Sequence, residues 1–349
     1  MKVLVTGHNG YIGSVMVPLL TSAGHEVVGL DGNFFSDCRM TGAAPEVPSL
    51  DIDVRDVQES DLRGFDAIIH LAALSNDPLG DINPDLTYEI NYRASVRLAR
   101  LAREAGVSRF LFSSSCSLYG ASGDDYLTEE SGFNPVTPYG TSKIKVEEEV
   151  RPLADSDFSP TYLRNATAYG LSDRLRADLV VNNLTGYAFL TGSALIKSDG
   201  KVWRPLVHIE DISRAFLAVL EAPREIVHNE SFNVGSTEEN YLVRDVADIV
   251  KDVVPGSEIT YSGDASPDIR NYRVDCSKIA RVLPAFKPQW TVRRGVEELF
   301  NAYKTHGLTM EDFLGSRYQR IRKVRELIEA GALDQTLRRT TPALATATR

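Results

Sequence analysis

The order of apolar and polar positions along the chain predicts strands that alternate with helices from the first residue. Short apolar runs at Lys2–Thr6, Glu26–Leu30 and Asp66–Ala72 are typical of strands buried in a sheet. Strands separated by helices form right-handed βαβ units, so the pattern predicts an α/β fold with a doubly wound parallel sheet. The remaining predicted strands are Arg109–Ser113, Thr161–Arg164, Lys201–Val207 and Ser231–Val234, and the predicted helices are Tyr11–Ala23, Pro84–Ala105, Tyr139–Leu153, Asp178–Leu190 and Asp211–Glu221.

The regular alternation weakens after residue 164, which predicts a second, smaller region in the chain. We expect residues 165–200 and 237–310 to form a substrate-binding region, while residues 201–236 return to the main sheet. Residues 311–349 are expected to form a C-terminal extension, with one amphipathic helix over Met310–Ala330 followed by a loose tail.

Composition and charge restrict the classes of partner. The chain has 349 residues, of which 43% are hydrophobic, and this is enough to bury a full core. The net charge of −10 repels a nucleic-acid backbone. The sequence has neither a secretory signal pattern nor an apolar run of the ~20 residues that cross a bilayer. The three cysteines form no CxxC pair, which favours a reducing compartment and predicts no metal site. We therefore expect a cytoplasmic protein.

A glycine-rich segment, Thr6–Gly13 (TGHNGYIG), joins the first predicted strand to the first helix. The glycines allow the backbone to approach a pyrophosphate, which the helix N-terminus attracts. Asp31 follows Gly10 by 21 residues, close to the ~20 expected for a carboxylate that accepts ribose hydroxyls. Because Asp31 would repel a 2′-phosphate, NAD is favoured over NADP; a loop-capping acid is the alternative. Residues 1–164 are therefore predicted to form a Rossmann-type NAD-binding domain.

Tyr139 and Lys143 lie four residues apart at the start of a predicted helix, on one face of it. Lowering a tyrosine pKa from about 10 to about 7 requires roughly 4 kcal/mol. A nearby ammonium and an oxidised nicotinamide form a charge environment of this kind. Tyr139 would then take a proton from a hydroxyl as hydride leaves the same carbon. A solvated helix face has the same spacing and is the alternative.

Serines follow a predicted buried strand at Ser113–Ser117, where ligands bind in open α/β sheets. A hydroxyl there would hold the reacting oxygen against Tyr139, whereas a strand-terminating or helix-capping cluster is the alternative. Asp53 lies in the stretch Asp51–Asp56, between the predicted strands Glu26–Leu30 and Asp66–Ala72. It is a candidate acceptor for the adenine amino group, with a surface charge as the alternative.

These motifs, together with His70-Leu71-Ala72-Ala73 and Tyr119-Gly120, resemble the NAD-dependent nucleotide-sugar epimerase/dehydratase family of extended short-chain dehydrogenases/reductases. The resemblance covers roughly residues 1–300. It implies a catalytic triad of Ser115, Tyr139 and Lys143, a nucleotide-linked sugar substrate, and a homodimer built through the helices at about 88–105 and 139–153. The candidate cofactor-binding residues are Gly7, Asn9, Gly10, Tyr11, Ile12, Gly13, Asp31, Asn33, Asp53, Val54, Leu71, Ala72, Ala73, Asn91, Ser113, Tyr139 and Lys143.

The second half contains stretches that are similar to the substrate motifs of this family. Trp203–Asp211 makes Arg204 a candidate for binding the nucleotide diphosphate, and Asp268–Tyr272 does the same for Arg270. His70 and His208 are interpreted as packing or hydrogen-bonding residues. The candidate substrate-binding residues are Ser75, Ser115, Cys116, Thr167, Asn183, Arg204 and Arg270.

Departures from the family pattern bear on the reaction. Cys116 and Ser117 stand where 4,6-dehydratases of this family have Asp and Glu, which argues against that elimination. Cys116 is either a weak acid or base beside the sugar or a small buried filler. Thr167 and Pro205 replace an Asn and an Asp of the family. Epimerisation through transient oxidation at C4 is the leading hypothesis. The alternatives are an NDP-sugar dehydrogenase, a 4-keto-reductase, another dehydratase, or, more remotely, a non-catalytic dinucleotide-sensing protein.

Overall fold

The computed structural model describes residues 1–42, 47–75, 83–262 and 270–340. Its centre is a seven-stranded sheet in the order β3-β2-β1-β4-β5-β7-β11, and every neighbouring pair is parallel. The predicted parallel sheet is therefore confirmed, and the fold is of the Rossmann type. The strands of this sheet are β1 (Lys2–Thr6), β2 (Glu26–Leu30), β3 (Ser49–Leu50), β4 (Ala67–His70), β5 (Arg109–Ser115), β7 (Ser159–Asn165) and β11 (Ser231–Val234).

Helices cover both faces of this sheet, which is why its central strands have apolar residues on both faces along most of their length. On one face, α1 (Gly13–Ser22) and α6 (Ile209–Glu221) contribute Met16 and Phe216 to a core beneath the strands. On the other face, α3 (Ala94–Glu104) and α4 (Pro138–Val150) cover the strands with residues such as Leu98 and Val146. A strand buried on both sides carries no alternation of polar and apolar residues.

The chain order reverses at β1, which lies between β2 and β4. Thr6, the last residue of β1, is in register with Leu30 on one side and with His70 on the other. The connections after β1 and β4 therefore diverge, and a crevice opens beyond the carboxyl ends of these strands. The glycine-rich segment and the serines after β5 both lie at this edge.

The smaller region has its own core. Helices α5 (Val180–Thr191), α8 (Val243–Val253) and α10 (Val292–Thr305) pack around Val181, Val246 and Val296. Three small sheets join them, pairing β8 (Thr167–Tyr169) and β12 (Asn240–Leu242) with β10 (Trp203–His208), β9 (Ser193–Ile196) with β13 (Glu258–Tyr261), and β6 (Ala121–Leu127) with β14 (Asn271–Val274).

Two expectations for the second half require correction. Within residues 201–236, β11 joins the main sheet but β10 does not. The reason is that β11 occupies the edge beside β7, with Ser231 paired to Tyr162, so β10 pairs with β8 and β12 instead.

The single helix predicted over Met310–Ala330 is also wrong. The structure has two helices, α11 (Met310–Leu314) and α12 (Arg320–Glu329). Phe313 packs in the core of the smaller region, where a Cβ on Gly186 would lie 2.2 Å from its ring, whereas Val324 packs in the core of the main sheet. The apolar positions that indicated one face therefore belong to two different cores.

The helix predicted over Pro84–Ala105 is continuous but changes geometry along its length. It begins as α2 (Pro84–Thr87), passes through a π-helical turn at Tyr88–Arg93 and continues as α3. The predicted loose tail is Thr340–Arg349, of which residues 341–349 lie outside the described residues. Among the described residues, no helix is long and apolar enough to span a membrane.

The remaining helices are α7 (Arg224–Val227) and α9 (Ser277–Val282), with short 3₁₀ segments at Glu59–Leu62, Cys116–Tyr119 and Arg151–Leu153.

Candidate active site

Two glycines of the glycine-rich segment, Gly7 and Gly13, have no room for a side chain. Gly7 has a φ of +75°, and a Cβ there would lie 2.8 Å from the backbone nitrogen of Ala72. A Cβ on Gly13 would lie 2.3 Å from the carbonyl oxygen of Gly7. The backbone therefore forms a shallow cradle at the N-terminus of α1, where a pyrophosphate can approach the peptide N–H groups. The residues present fit a dinucleotide.

Asp31 connects this cradle to the turn after β2. Its carboxylate accepts hydrogen bonds from the backbone N–H of Asn9 at 3.1 Å and of Asn33 at 2.8 Å. Burial raises the pKa of Asp31, although these two bonds and His8 act in the opposite direction. The side chain is held by the backbone and lines the crevice, as a ribose-binding carboxylate requires.

Asp53 lies at the same end of the crevice and is bound to Arg55. The Nη2 and Nε atoms of Arg55 donate to its carboxylate at 2.6 Å and 3.0 Å. Burial acts to raise the pKa of Asp53, but the hydrogen bonds from Arg55 prevail and lower it. Asp53 thus faces the predicted adenine site as an ionised carboxylate.

A cavity of about 940 Å³ extends from Asp31 and Asp53 past the predicted catalytic residues to Arg204 and Arg270. The predicted cofactor site and the predicted substrate site therefore share one continuous cavity. All the predicted cofactor- and substrate-binding residues line this cavity except Asn91 and Cys116.

The predicted catalytic pair lies on the first turns of α4. Thr137 caps this helix by accepting a hydrogen bond from the N–H of Gly140 at 3.2 Å. Lys143 Nζ donates to the carbonyl oxygen of Ser113 at 2.6 Å, and it lies 5.4 Å from the ring centroid of Tyr139. The lysine is therefore anchored to the end of β5 with its charge beside the phenol ring.

Burial lowers the pKa of Lys143 to about 7, while Glu147 acts in the opposite direction. Glu147 lies one further turn along the same face of α4 and is itself buried. Its carboxylate accepts two bonds from Arg164, at 2.7 Å and 3.1 Å, and one from the hydroxyl of Ser114 at 2.6 Å. The sequence analysis did not identify Glu147 or Arg164. Glu147 follows Lys143 by four residues, as Lys143 follows Tyr139, and this spacing could have placed Glu147 on the same helix face.

Ser115 is the last residue of β5 and lines the cavity. Its Oγ accepts a hydrogen bond from the N–H of Ser117 at 3.1 Å and so caps the short helix that follows. The capping interpretation is therefore confirmed. An oxygen that accepts from the backbone keeps its own proton to donate, so the contact with the reacting oxygen stays a prediction. Ser113 Oγ accepts from the side-chain amide of Asn165 at 3.0 Å.

Asn91 does not contact the cavity directly. It is buried in the π-helical turn, and its amide bonds both the N–H and the carbonyl of Leu74, at 2.7 Å and 2.9 Å. It thereby fixes the loop after β4, whose residues Leu71–Ser75 form one wall of the cavity. Asn91 was predicted to contact the cofactor, but in the structure it positions the loop after β4.

Cys116 does not contact the cavity either. Its side chain is completely buried, and its Sγ donates to the carbonyl oxygen of Arg164 at 3.1 Å. Burial raises the pKa of this thiol far above neutrality. The predicted substrate contact is therefore wrong, and the alternative of a small buried filler is the one observed. The short helix that begins immediately after Ser115 turns this side chain away from the cavity.

His70 and His208 have the structural partners that were expected. His70 lies between the hydroxyls of Thr6 and Ser95, at 2.6 Å and 2.7 Å. His208 stacks on Trp290 at 3.9 Å between ring centroids and contacts a carboxylate oxygen of Glu298 at 2.9 Å.

The substrate end of the cavity is built mainly by the smaller region. Asn183 anchors the start of α5 by donating to the carbonyl of Ala177 at 2.7 Å, and Thr167 lies on β8. Arg204 donates to the carbonyls of Trp203, at 2.7 Å, and of Arg270. In the Asp268–Tyr272 motif, Asp268 and Ile269 lie outside the described residues.

Two arginines in the cavity wall were missed by the sequence analysis. Arg176 pairs with Asp178 at 2.7 Å and donates to the hydroxyl of Ser75 at 3.0 Å. Arg320 comes from α12. Neither residue lies in a motif or in the regular alternation, so no local signal identifies them.

The sequence model of the NAD-dependent epimerase/dehydratase family matches residues 3–235. The chain belongs to this family. It is an NAD-dependent enzyme of the extended short-chain dehydrogenase/reductase type, which confirms the resemblance and the cofactor expected from the sequence.

Individual relatives support the same assignment. The chain is 30% identical over 268 residues to UDP-glucose 4-epimerase of Corynebacterium glutamicum, which covers 72% of this chain and 80% of that protein. It is 28% identical to UDP-glucose 4-epimerase of Bacillus subtilis, with 86% of this chain and 94% of that protein covered. The solved structure of MoeE5 in complex with UDP-glucuronic acid and NAD matches with a TM-score of 0.76 at 26% identity, over 87% of this chain and 99% of that chain.

Proposed function

We propose that this enzyme epimerises a nucleotide-linked sugar through transient oxidation at C4. The observation that carries the proposal is the position of Tyr139 and Lys143 at the middle of one cavity. The cavity holds the dinucleotide cradle at one end and Arg204 and Arg270 at the other. NAD, when bound in this cradle, would supply the reversible hydride acceptor that this reaction requires.

Tyr139 acts as the base for the sugar hydroxyl. The ammonium of Lys143 lies beside its ring, and charge of this sign stabilises a phenolate over a phenol. Ser115 donates its hydroxyl proton to the reacting oxygen and holds it against Tyr139 as the carbonyl forms. In the return half, Tyr139 gives the proton back to the same oxygen.

Epimerisation requires that the keto-sugar present its opposite face before hydride returns. Arg204 and Arg270 would hold the diphosphate as a fixed point while the sugar rotates, because guanidinium groups bind phosphate by paired hydrogen bonds. Ser75, Thr167 and Asn183 line the same end of the cavity and are proposed to bind the remainder of the substrate. Cys116 is buried, and Cys116 and Ser117 carry no carboxylate where the 4,6-dehydratases of the family have Asp and Glu, which argues against a 4,6-elimination.

The decisive experiment is product analysis without added cofactor. The purified enzyme is incubated with UDP-glucose, UDP-glucuronic acid and a panel of other nucleotide sugars, and products are followed by ¹H NMR. The C4 epimer is expected, with no accumulation of NADH at 340 nm. Stoichiometric NADH release would establish a dehydrogenase instead, and loss of water from the sugar would establish a dehydratase. An unreactive panel combined with tight NAD binding would favour a dinucleotide-sensing protein.

We further propose a homodimer through α3 and α4. These helices lie side by side, and their outer surface exposes Arg100, Lys145 and Glu148. A mixed polar surface of this kind is typical of the rim of an interface. Light scattering after size exclusion tests the proposal, with Arg100→Glu expected to shift the mass towards one chain.

A cytoplasmic location is proposed on the state of the cysteines. Cys38, Cys116 and Cys276 are all buried and unpaired. Thiols that are kept reduced are typical of proteins from reducing compartments. Cell fractionation tests this location.

A further inference from the structure

A segment near the C-terminus, Gln319–Thr340, lies along the dinucleotide end of the cavity. Gln319 and Arg320 are part of the cavity wall. Further along, Arg339 donates to the carbonyl oxygen of Gly32 at 2.7 Å and pairs with Asp51 at 3.0 Å. These contacts place the segment beside the turns after β2 and β3.

The segment is docked by both apolar and polar contacts. Leu333 and Leu337 are buried in the core that covers the main sheet, together with Val324 of α12. Arg55 donates to the carbonyls of Thr336 and Leu337, at 2.8 Å and 3.0 Å. The same guanidinium binds Asp53 in the cavity wall, so one side chain contacts both the segment and the cofactor site.

Arg320 is the unusual residue of this segment. Only 4% of it is exposed, and its guanidinium lies 4.3 Å from the ring centroid of Phe35. Its Nη2 donates to the carbonyl of Arg174 at 2.6 Å, while its buried Nη1 has no hydrogen-bond partner among the described residues.

The carboxylates around Arg320 are engaged by other arginines. Asp173 pairs with Arg174, and Asp178 pairs with Arg176 at 2.7 Å. Burial and the charge of Arg176 lower the pKa of Arg320 to about 10, so it remains a cation at neutral pH. A buried cation without a counterion is unfavourable, which indicates that an anion occupies this place in the working enzyme.

The surroundings of Arg320 identify the anion. The residues just before Arg174 pack directly on the glycine-rich segment, since the hydroxyl of Ser172 donates to the carbonyl of Tyr11 at 2.8 Å. On the other side, Phe35 belongs to the turn that follows Asp31, the predicted ribose acceptor. Arg320 thus lies between the diphosphate cradle and the ribose carboxylate.

We propose that Arg320 binds the diphosphate of NAD, and that the segment Gln319–Thr340 is part of the cofactor site. A guanidinium with one free edge suits a phosphate oxygen, both by charge and by geometry. The proposal rests on NAD as the cofactor and on the site described above, and it does not depend on which sugar reaction the enzyme catalyses.

The test compares Arg320→Gln and Arg320→Lys with Arg322→Gln, which removes an exposed charge from the same helix. Full-length proteins are stripped of bound nucleotide, and their affinities for NAD and for UDP are measured by titration calorimetry. Loss of a charge-assisted hydrogen bond should weaken NAD binding roughly tenfold to a hundredfold in Arg320→Gln. Arg320→Lys should lie between this variant and the wild type, and Arg322→Gln should match the wild type. UDP affinity should not change.

Thermal melting separates binding from folding. In Arg320→Gln the increase in melting temperature on adding NAD should shrink, because ligand stabilisation follows affinity. A variant that melts lower without NAD but keeps the full increase would overturn the proposal, as would an unchanged NAD affinity. Weakened UDP binding with normal NAD binding would assign Arg320 to the substrate instead. Absence of epimerase activity with the expected loss of NAD affinity would contradict the proposed function alone.

Discussion

Lys143 Nζ lies 2.6 Å from the carbonyl oxygen of Ser113, so helix α4 and strand β5 of the main sheet are joined by the lysine itself. The ammonium is thus fixed before any ligand binds. The hydrogen bond to Ser113 holds the ammonium in place. The distance from Lys143 Nζ to the Tyr139 ring is therefore set by the backbone of β5 and not by the free rotation of the lysine side chain. Preorganisation of this kind reduces the rearrangement that the reaction requires.

Removing the phenol hydroxyl should abolish turnover but not cofactor binding. Tyr139→Phe loses the proton acceptor, and a positioned acid or base contributes roughly a hundredfold to ten-thousandfold to a rate. We expect kcat to fall by at least about a hundredfold, with NAD affinity within a factor of about two of the wild type. The control is Tyr261→Phe, which removes the hydroxyl of an exposed tyrosine. Full activity in Tyr139→Phe would remove the basis of the proposed reaction.

The buried ammonium should make stability depend on pH in an unusual direction. The folded-state pKa of Lys143 is about 7 and its ordinary value is 10.5, so the unfolded chain binds more protons between these values. The free energy of unfolding should therefore rise with pH through this window. The cost of the charge is complete below pH 7 and disappears above 10.5.

Lys143→Met removes this dependence, and without NAD it should be more stable than the wild type at pH 6. Urea unfolding at pH 6, 8 and 10 measures the difference, which should shrink as the pH rises. Lys145→Met changes an exposed lysine of the same helix and serves as the control. A difference that is independent of pH would contradict the assigned pKa.

His70 should produce a second, acidic dependence. Burial, assisted by Lys143, lowers the pKa of His70 to about 3 from its ordinary 6.5. The unfolded chain binds more protons between these values, so the stability contributed by neutral His70 is complete above pH 6.5 and is lost as the pH falls towards 3.

The slope of stability against pH between 4 and 6 should therefore be smaller in His70→Gln than in the wild type. Chemical denaturation at several pH values measures it, with His306→Gln, an exposed histidine, as the control. Equal slopes in wild type and His70→Gln would show that His70 does not carry the effect.

Breaking the buried pair of Glu147 and Arg164 should be strongly destabilising. Glu147→Gln leaves a buried guanidinium without its counterion, and such changes cost about 3–5 kcal/mol. It also removes the charge that raises the pKa of Lys143, so the catalytic pH profile should change in any protein that remains folded. Denaturant unfolding and pH–rate profiles measure the two effects. The control is Glu148→Gln, which alters an exposed residue of the same helix and should change neither the stability nor the pH–rate profile.

Local patterns predicted most strands of the main sheet, and local patterns together with the family resemblance predicted most of the cavity. The strands are continuous apolar runs, and Asp31, Tyr139 and Lys143 are placed by spacing within one or two elements. Such features depend on the backbone geometry of a few residues, which the sequence carries directly.

The errors arise where distant segments meet. Cys116 follows Ser115 directly, but a short helix that begins at Cys116 itself directs the thiol towards Arg164 instead of the cavity. Glu147 becomes significant only through Arg164, which lies 17 residues further along the chain. Arg320 reaches the cavity because α11 and α12 pack on two different cores, which a single helical periodicity does not reveal.

The contact between Arg339 and Gly32 joins residues 307 positions apart, and this separation has a consequence for biosynthesis. The ribosome makes the glycine-rich cradle long before it makes Arg339. Until then the emerging chain presents a dinucleotide with only part of the surface that the folded protein offers. Stable retention of NAD is therefore expected to begin only when translation has passed Arg339.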